Sequence, residues 1–311
     1  MSQPRQSATD PVSVSACIFA YNEEARIAAA LDALDACGAE ARLRAHVVIN
    51  GCTDGTESVV RAWRPRHIEV VPVVLARGDK ANAWNHYVHE VAPLDAALHL
   101  FTDGDMLVTP GSVAAFLAAF AADPHADGCA GLPVSGRSRD GFRDKLRRRR
   151  EMAGNLYALR GRCVEAFRRE GVRLPFGMFG EDGLVTALVK HDRDMRRPLD
   201  DRRVTSAEDA GFGYVPLSVW QPADWRTYRN RKMRYAVRRQ QSLMLYDLLR
   251  SGGPQAMPPH VVDLYRARGA GMRLAWRGLD TWFDWVAIRR IRRDMAADDS
   301  VKQEARAHLY S

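Results

Sequence analysis

Through the first hundred residues, unbroken apolar runs alternate with stretches in which apolar positions recur every three to four residues. "VSVSACIFA" (12–20), "AHVVIN" (45–50), "HIEVVPVVLA" (67–76) and the run that opens "LHLFTDGD" (98–105) read as buried strands. Between them, "EEARIAAALDALDAC" (23–37), "ESVVRAWR" (57–64) and "KANAWNHYVHEVA" (80–92) have helical spacing, the first with acidic residues in the turn where the helix dipole favours them. This alternation predicts an α/β fold: a mostly parallel sheet wrapped by helices, with ligands at the carboxyl ends of the strands. Each of those ends is polar: "AYNEE", "NGCTDGT", "RGDK" and "DGD".

After Asp105 the rhythm changes. A helix is expected over 111–122, a short strand in "GCAGLPVSG" (128–136), and a long arginine-rich helical stretch through Arg169. In "LPFGMFGEDGLVTALVKH" (174–191) glycines precede an acidic pair that opens an apolar helix, and "GFGYVPL" (211–217) reads as a returning strand. Beyond Trp225 the chain reads as helical, interrupted by "SGGPQAMPPH" (251–260), whose glycines and prolines oppose both helix and strand. The pattern divides the chain into an α/β domain over 1–222 and a helical, basic extension over 223–311.

Composition narrows the class. With 46% hydrophobic and 27% charged residues, 311 residues are ordinary for a globular protein and ample for a core. The five cysteines are scattered, with no Cys-x-x-Cys pair, so neither a disulfide framework nor a zinc site is indicated, and a reducing cytoplasm is expected. The longest apolar run, "SVAAFLAAFAA", is too short to span a bilayer. The formal charge of +8 gathers in "RDKLRRRREM" (143–152), "RTYRNRKMRYAVRRQ" (226–240) and "IRRIRRDM" (288–295). Such clusters suit phosphates or anionic lipid, or are solvated helix faces; no finger or RNA-binding signature accompanies them, so a nucleic-acid partner is not expected.

The chemistry begins at "TDGD". Alternate residues of an extended segment share a side, so Asp103 and Asp105 can aim two carboxylates at one spot, where a divalent cation would relieve their repulsion. Gly104 would let a ligand approach the backbone. An acidic turn closing the strand fits the same three residues. Glu181 and Asp182 likewise suit either a helix N-terminus or proton transfer. His86, His89 and Glu90 share a helical face, which reads as solvated because no third motif completes a metal site.

Together "VSACIFAYNEE", "VVINGCTDGT", "GDKANAWN", "FTDGD", "FGEDGLVTAL" and "RKMRY" follow one another in an order that resembles the family 2 glycosyltransferases with the GT-A fold, over approximately 12–235. The resemblance implies an inverting hexosyltransferase-type enzyme that moves a sugar from a nucleotide diphosphate to an acceptor hydroxyl, in bacterial glycan or glycolipid synthesis. It implies that Asp103 and Asp105 hold Mn²⁺ or Mg²⁺ against the diphosphate, Asp103 also lying near the ribose. Tyr21, Asn22 and Glu23 would then border the nucleotide, with Glu23 accepting from base or ribose. Asn50 and Asp54 occupy the second-strand motif; Asn50 stands where many relatives carry Asp, which weakens an assignment to uridine. Lys80 would reach base or phosphates, and Cys52 would be a small buried residue nearby. Asp182 would be the general base and Glu181 its neighbour, with Gly180 and Gly183 admitting the acceptor. Arg231 and Arg234, in a degenerate Q-x-x-R-W segment, would border the diphosphate. A glycan, a lipid-linked sugar, a small molecule or a protein could accept the sugar. A nucleotidyltransferase or an inactive nucleotide-sugar-binding protein are the alternative readings; "FAYNEEAR" lacks the glycine-rich loop of the former.

In "GLDTWFDWVAIRRIRRDM", Leu279, Trp282, Phe283, Val286 and Ile291 recur at helical spacing, with Arg289, Arg290, Arg292 and Arg293 toward the end. Such a stripe can lie peripherally on the inner face of a membrane or pack on the catalytic domain, and the sequence leaves both open.

Overall fold

A computed structural model describes residues 12–136, 138–213, 222–278 and 280–296. Strands β1 (Ser13–Ala20), β2 (Arg42–Asn50), β3 (Glu69–Leu75) and β4 (Leu98–Asp103) alternate with helices α1 (Ile27–Asp35), α2 (Thr56–Ala62) and α3 (Lys80–His86). Helix α3 runs on through a π turn, Tyr87–Val91. These strands form the parallel half of an eight-stranded sheet ordered β3-β2-β1-β4-β7-β6-β8-β5. The other half is mixed. After β5 (Leu107–Val108) and α4 (Ser112–Ala122), β6 (Gly128–Pro133) precedes α5 (Arg139–Arg149) and β7 (Leu156–Arg160), which is antiparallel to both β4 and β6. Then come α6 (Gly161–Arg169), α7 (Glu181–Lys190) and β8 (Val204–Gly213), which lies parallel to β6 and antiparallel to β5.

Alternation along the strands builds three layers. Val14, Ala16, Ile18 and Leu100 face Ile27, Leu31 and Leu34 of α1 and Phe116 and Phe120 of α4. Cys17, Phe19 and Phe101 face the opposite layer, with Trp84, Tyr157 and Phe167. A strand apolar on both faces shows no alternating pattern, which is why these read as continuous runs.

Two expectations need correction. The stretch through Arg169 is not one helix: β7 lies inside it, buried and hydrogen-bonded between β4 and β6. "LYALR" has ordinary helix formers, and only its pairing across the sheet makes it a strand. The returning strand starts at Val204, seven residues before the apolar "GFG" that suggested it, because Val204, Thr205 and Ser206 pair with β6 even though two of them are polar. Residues 214–217 of that expectation lie outside the described residues.

C-terminally, α8 (Pro222–Gly252), α9 (Val261–Arg268) and α10 (Asp280–Ala296) pack on the sheet's second layer. Leu245, Leu249, Tyr265, Ile288 and Ile291 belong to the same buried cluster as Trp84 and Tyr157. Gly253, at φ 70°, turns the chain out of α8 within the glycine- and proline-rich segment. Among the described residues no helix is long and apolar enough to cross a membrane.

Candidate active site

The carboxyl ends of β1, β2 and β4 meet along one edge; side chain–backbone bonds lock the loops after β1 and β2 together, and the Gly104 N–H ties the end of β4 to the Phe19 carbonyl at 2.8 Å. Asn22, at φ 53°, accepts from the Thr53 N–H at 2.8 Å, and its own N–H reaches Cys52 Sγ at 3.3 Å. The Glu23 N–H donates to Thr56 Oγ1 at 2.8 Å. Asp54 accepts from Thr56 N–H at 3.1 Å and Glu24 N–H at 3.1 Å, so it closes the turn before α2 and ties it to the first loop. Buried Asn50 accepts from the Asp79 N–H at 3.0 Å, which fixes the start of α3. An amide can do this without burying a charge.

Asp79 then reaches across the edge. It caps α3 through the Asn82 N–H at 2.7 Å, while its second oxygen accepts from the Gly177 N–H at 2.7 Å, in the loop leading to the acidic pair. Gln241 of α8 holds the same loop from the other side, accepting from the Phe179 N–H at 2.8 Å and donating to the Gly177 carbonyl at 3.1 Å. A segment fixed by two buried polar side chains places Glu181 and Asp182 against the end of β4.

Lys80 joins the two acidic centres. Its Nζ lies 2.5 Å from Asp103 Oδ1 and 2.8 Å from Glu181 Oε1, and sits 5.2 Å from the Phe19 ring centroid. Burial opposes the ammonium charge, yet the two carboxylates outweigh it and raise the Lys80 pKa. Asp103 is pushed up to about 6, by burial against the pull of Lys80 and with the push of Glu181 and Asp105. Gly154 makes room here, since a Cβ would stand 3.0 Å from Lys80 Nζ and 3.3 Å from Glu181 Oε1.

Asp182 has three partners: the Gly154 N–H at 3.0 Å, its neighbour Gly183 N–H at 2.9 Å, and Arg238 Nη2 of α8 at 2.9 Å. Arg238 explains the flanking glycines. A Cβ on Gly180 (φ 72°) would stand 2.0 Å from Arg238 Nε, and one on Gly183 2.5 Å from Nη2. These glycines therefore admit a guanidinium, where the sequence suggested an approach for the acceptor. Gly104 has a packing role as well: a Cβ would meet the Phe19 carbonyl at 3.1 Å and Ala20 Cα at 3.2 Å, so its smallness serves the fit of β4 against β1.

On the outer side, Glu23 pairs with Arg26 at 2.6 Å, and Arg26 Nη1 lies 3.6 Å from Asp105. Burial first, then the Asp105 charge, push the Glu23 carboxyl up to about 7 against the pull of Arg26. Along the edge five carboxylates (Glu23, Asp103, Asp105, Glu181, Asp182) thus face three cations (Arg26, Lys80, Arg238). That excess of hard oxygen donors fits a divalent cation at Asp103 and Asp105. Among the described residues no three His, Cys, Asp or Glu groups surround one point, so further ligands would have to come from a bound molecule.

The structure brings Tyr21, Asn22, Glu23, Asn50, Asp54, Lys80, Asp103, Asp105, Glu181 and Asp182 to this edge. Arg231 and Arg234 are exposed on α8, at i, i+3 with Arg238 at i+7 on the same side, and make no ion pair among the described residues. Arg238, Gln241 and Asp79 were missed; the one local signal was the continuation of the arginine row by one further turn. His89 bonds the Val172 carbonyl at 3.1 Å and Glu90 pairs with Arg173 at 2.9 Å, remote from the edge in role. In the 147–150 cluster, Arg147 bonds Glu208 through Nε at 2.8 Å, and Arg150 donates to the Val204 carbonyl at 3.2 Å.

The family described as glycosyl transferase family 2 matches residues 15–180, over half of the chain. Among solved structures, a mannosyltransferase, PcManGT from Pyrobaculum calidifontis in complex with GDP-Man and Mn²⁺, is 21% identical with a TM-score of 0.58, over 94% of this chain and 77% of that one. TarS 1-349 of S. aureus in complex with UDP-GlcNAc is 14% identical with a TM-score of 0.50, over 91% of this chain and 92% of that one. At such identities the likeness establishes the fold. No curated protein matches the sequence.

Proposed function

The chain belongs to glycosyl transferase family 2, and from that premise we propose that it moves a sugar from a nucleotide diphosphate donor to an acceptor hydroxyl with inversion. The observation that carries this reading is Lys80, whose ammonium bridges the strand-end Asp103 and the helix-start Glu181 and so joins a donor-binding carboxylate to the acidic pair. Tyr21, Asn22, Glu23, Asn50 and Asp54 line the nucleotide side. Asp103 and Asp105 would hold Mn²⁺ or Mg²⁺, which when bound neutralises the departing diphosphate. Arg231 and Arg234 extend the basic row of α8 toward solvent and would meet phosphate oxygens. Asp182, oriented by Gly154 and Arg238, accepts the acceptor's proton, and Glu181 holds Lys80 in place.

A nucleotide-sugar donor is supported by the complexes of two proteins of this fold, which contain GDP-Man and UDP-GlcNAc. The acceptor is a hydroxyl of a glycan, glycolipid, small molecule or protein, and five free cysteines suit a reducing cytoplasm. Incubation with a panel of nucleotide-sugars and nucleoside triphosphates, with Mn²⁺ or Mg²⁺ and then with excess chelator, tests the reading. Chelator-sensitive release of sugar is expected. Pyrophosphate release would instead indicate a nucleotidyltransferase, and binding without turnover an inactive homologue.

A further inference from the structure

Helix α10 has two distinct faces. Ala287, Ile288 and Ile291 are buried, and half-buried Phe283 packs on the same cluster. Asp284 is also buried, paired with Arg239 of α8 and 3.8 Å from Arg277. That face is the packing surface. Leu279, part of the stripe seen in the sequence, lies outside the described residues. The other face is Trp282, Trp285, Arg289, Arg292 and Arg293, spaced i, i+3, i+7, i+10, i+11, which a helix gathers into one arc. Trp282 and Trp285 remain 55% and 44% exposed, far above what two tryptophans at the end of a core would show. The preceding segment adds Leu274 at 48% and Trp276 at 86% exposure. Arg290 and Asp294 project to the other side by helical spacing, and both are half-buried.

We infer that this outer face of α10, with Trp276 and Leu274 beside its start, seats the protein on an anionic membrane surface. Indole rings are amphipathic and prefer the headgroup boundary, whereas arginines reach lipid phosphates bidentately. The Arg289 guanidinium lies 4.7 Å from the Trp285 ring centroid, so cation and ring form one unit. Beyond Trp285 the exposed part of the arc carries arginine and no acid, which is complementary to anionic lipid. The face goes beyond the catalytic reading and uses none of its residues.

Flotation of the full chain with vesicles of phosphatidylcholine alone, or with phosphatidylglycerol added, tests this at low and high salt. Binding is expected only with the anionic lipid and should weaken in high salt. Arg289, Arg292 and Arg293→Glu should lower the partition well over tenfold, since each arginine near anionic lipid is worth roughly fivefold. Trp282→Ala with Trp285→Ala should reduce binding without removing its salt dependence. All five positions are exposed, and an unchanged thermal melt and nucleotide affinity in lipid-free buffer would show that both variants keep the fold. No flotation, equal flotation with neutral lipid, or unaltered flotation of both variants would overturn the inference. So would a dimer in sedimentation equilibrium that dissociates in the tryptophan variant without vesicle binding, because a second copy would then cover the face. Absence of nucleotide binding by the parent chain would refute the catalytic reading and leave this one standing.

Discussion

A lysine lies between two carboxylates, at 2.5 and 2.8 Å, and opposes the repulsion between them. Glu181 is buried, and burial first, then the Glu181 and Asp105 charges, push the Asp103 carboxyl up to about 6 against the pull of Lys80. Lys80→Met should therefore destabilise the fold by about 3 kcal/mol, the typical cost of leaving a buried charge unpaired. Chemical denaturation at neutral pH measures it, and a change below about 1 kcal/mol would mean that the carboxylates are relieved by water instead. Asp182 differs because its partners are backbone N–H groups and Arg238, all of which an amide oxygen can still satisfy in part. Asp182→Asn is expected to leave donor affinity within a few-fold while turnover falls by roughly 10² or more, because an amide cannot take up the acceptor's proton. Equal losses in donor binding would assign Asp182 to structure.

The α7 start and α8 are fitted to each other through two absent side chains. Gly180→Ala would place a methyl on Arg238 Nε and ask alanine for φ 72°, so it combines a clash with left-handed strain. A stability loss of about 1–3 kcal/mol is expected with a larger fall in turnover than in donor affinity, measured by calorimetry and steady-state kinetics. Arg238→Ala in the same background should recover only part of that stability, since the clash disappears with the guanidinium while the left-handed strain at φ 72° remains. This junction also shows where the sequence stops being legible. Asp103, Asp105, Glu181 and Asp182 could be read because each closes or opens an apolar run, which is a local signal. Arg238 could not: its role exists only because α8 crosses the loop at 180–183, and nothing within the helix distinguishes it from Arg234, one turn earlier. For the same reason β7 was hidden, since Leu156–Arg160 becomes a strand only through its pairing with β4 and β6. The meaning of Gly104 and Gly183 was hidden too, because a glycine in sequence does not say which neighbour it admits.

Strands and helices are also joined by a buried polar chain that no catalytic role explains. Ser15 Oγ lies 2.7 Å from the Tyr87 hydroxyl, which lies 2.8 Å from His99 Nδ1; His46 Nδ1 is 3.2 Å from Ser15 Oγ. Burial first, then Arg168 and His46, push His99 down to about 4. The imidazole is neutral in the folded protein while the unfolded one titrates near 6.5. Below about 6.5 the unfolded chain gains a proton that the folded chain refuses, so His99 costs stability as pH falls toward 4, by about 3 kcal/mol at most. Glu23 and Asp103, whose carboxyls are pushed up, act in the opposite sense, the first between about 4.5 and 7 and the second between about 4 and 6. The difference between the parent and His99→Gln removes those contributions. Stability of the variant relative to the parent should rise as pH drops from 6.5 to 4, and a pH-independent difference in urea denaturation would refute the assignment.

How the C-terminal helices relate to the sheet decides whether the chain can be divided. Leu245 and Leu249 of α8, Tyr265 of α9 and Ile288 and Ile291 of α10 are almost fully buried in the cluster that also contains Trp84, Phe101 and Tyr157. Gln241 bonds the loop before the acidic pair and the Tyr265 hydroxyl at 2.7 Å, and the Val261 N–H donates to the Phe176 carbonyl at 3.0 Å. Removing everything after Gly213 would expose that layer, and each large side chain uncovered costs about 1.5–3 kcal/mol. Several such losses exceed the typical stability of a domain, about 5–15 kcal/mol. A chain ending at Gly213 is therefore expected to lose cooperative unfolding and to aggregate, although it retains every residue of the matched family segment at 15–180. Calorimetry of the full chain should give a single transition. A soluble truncated chain that melts cooperatively and binds nucleotide would instead show that α8–α10 form an independent unit, and would shift Arg238 and Gln241 from parts of the fold to attachments upon it.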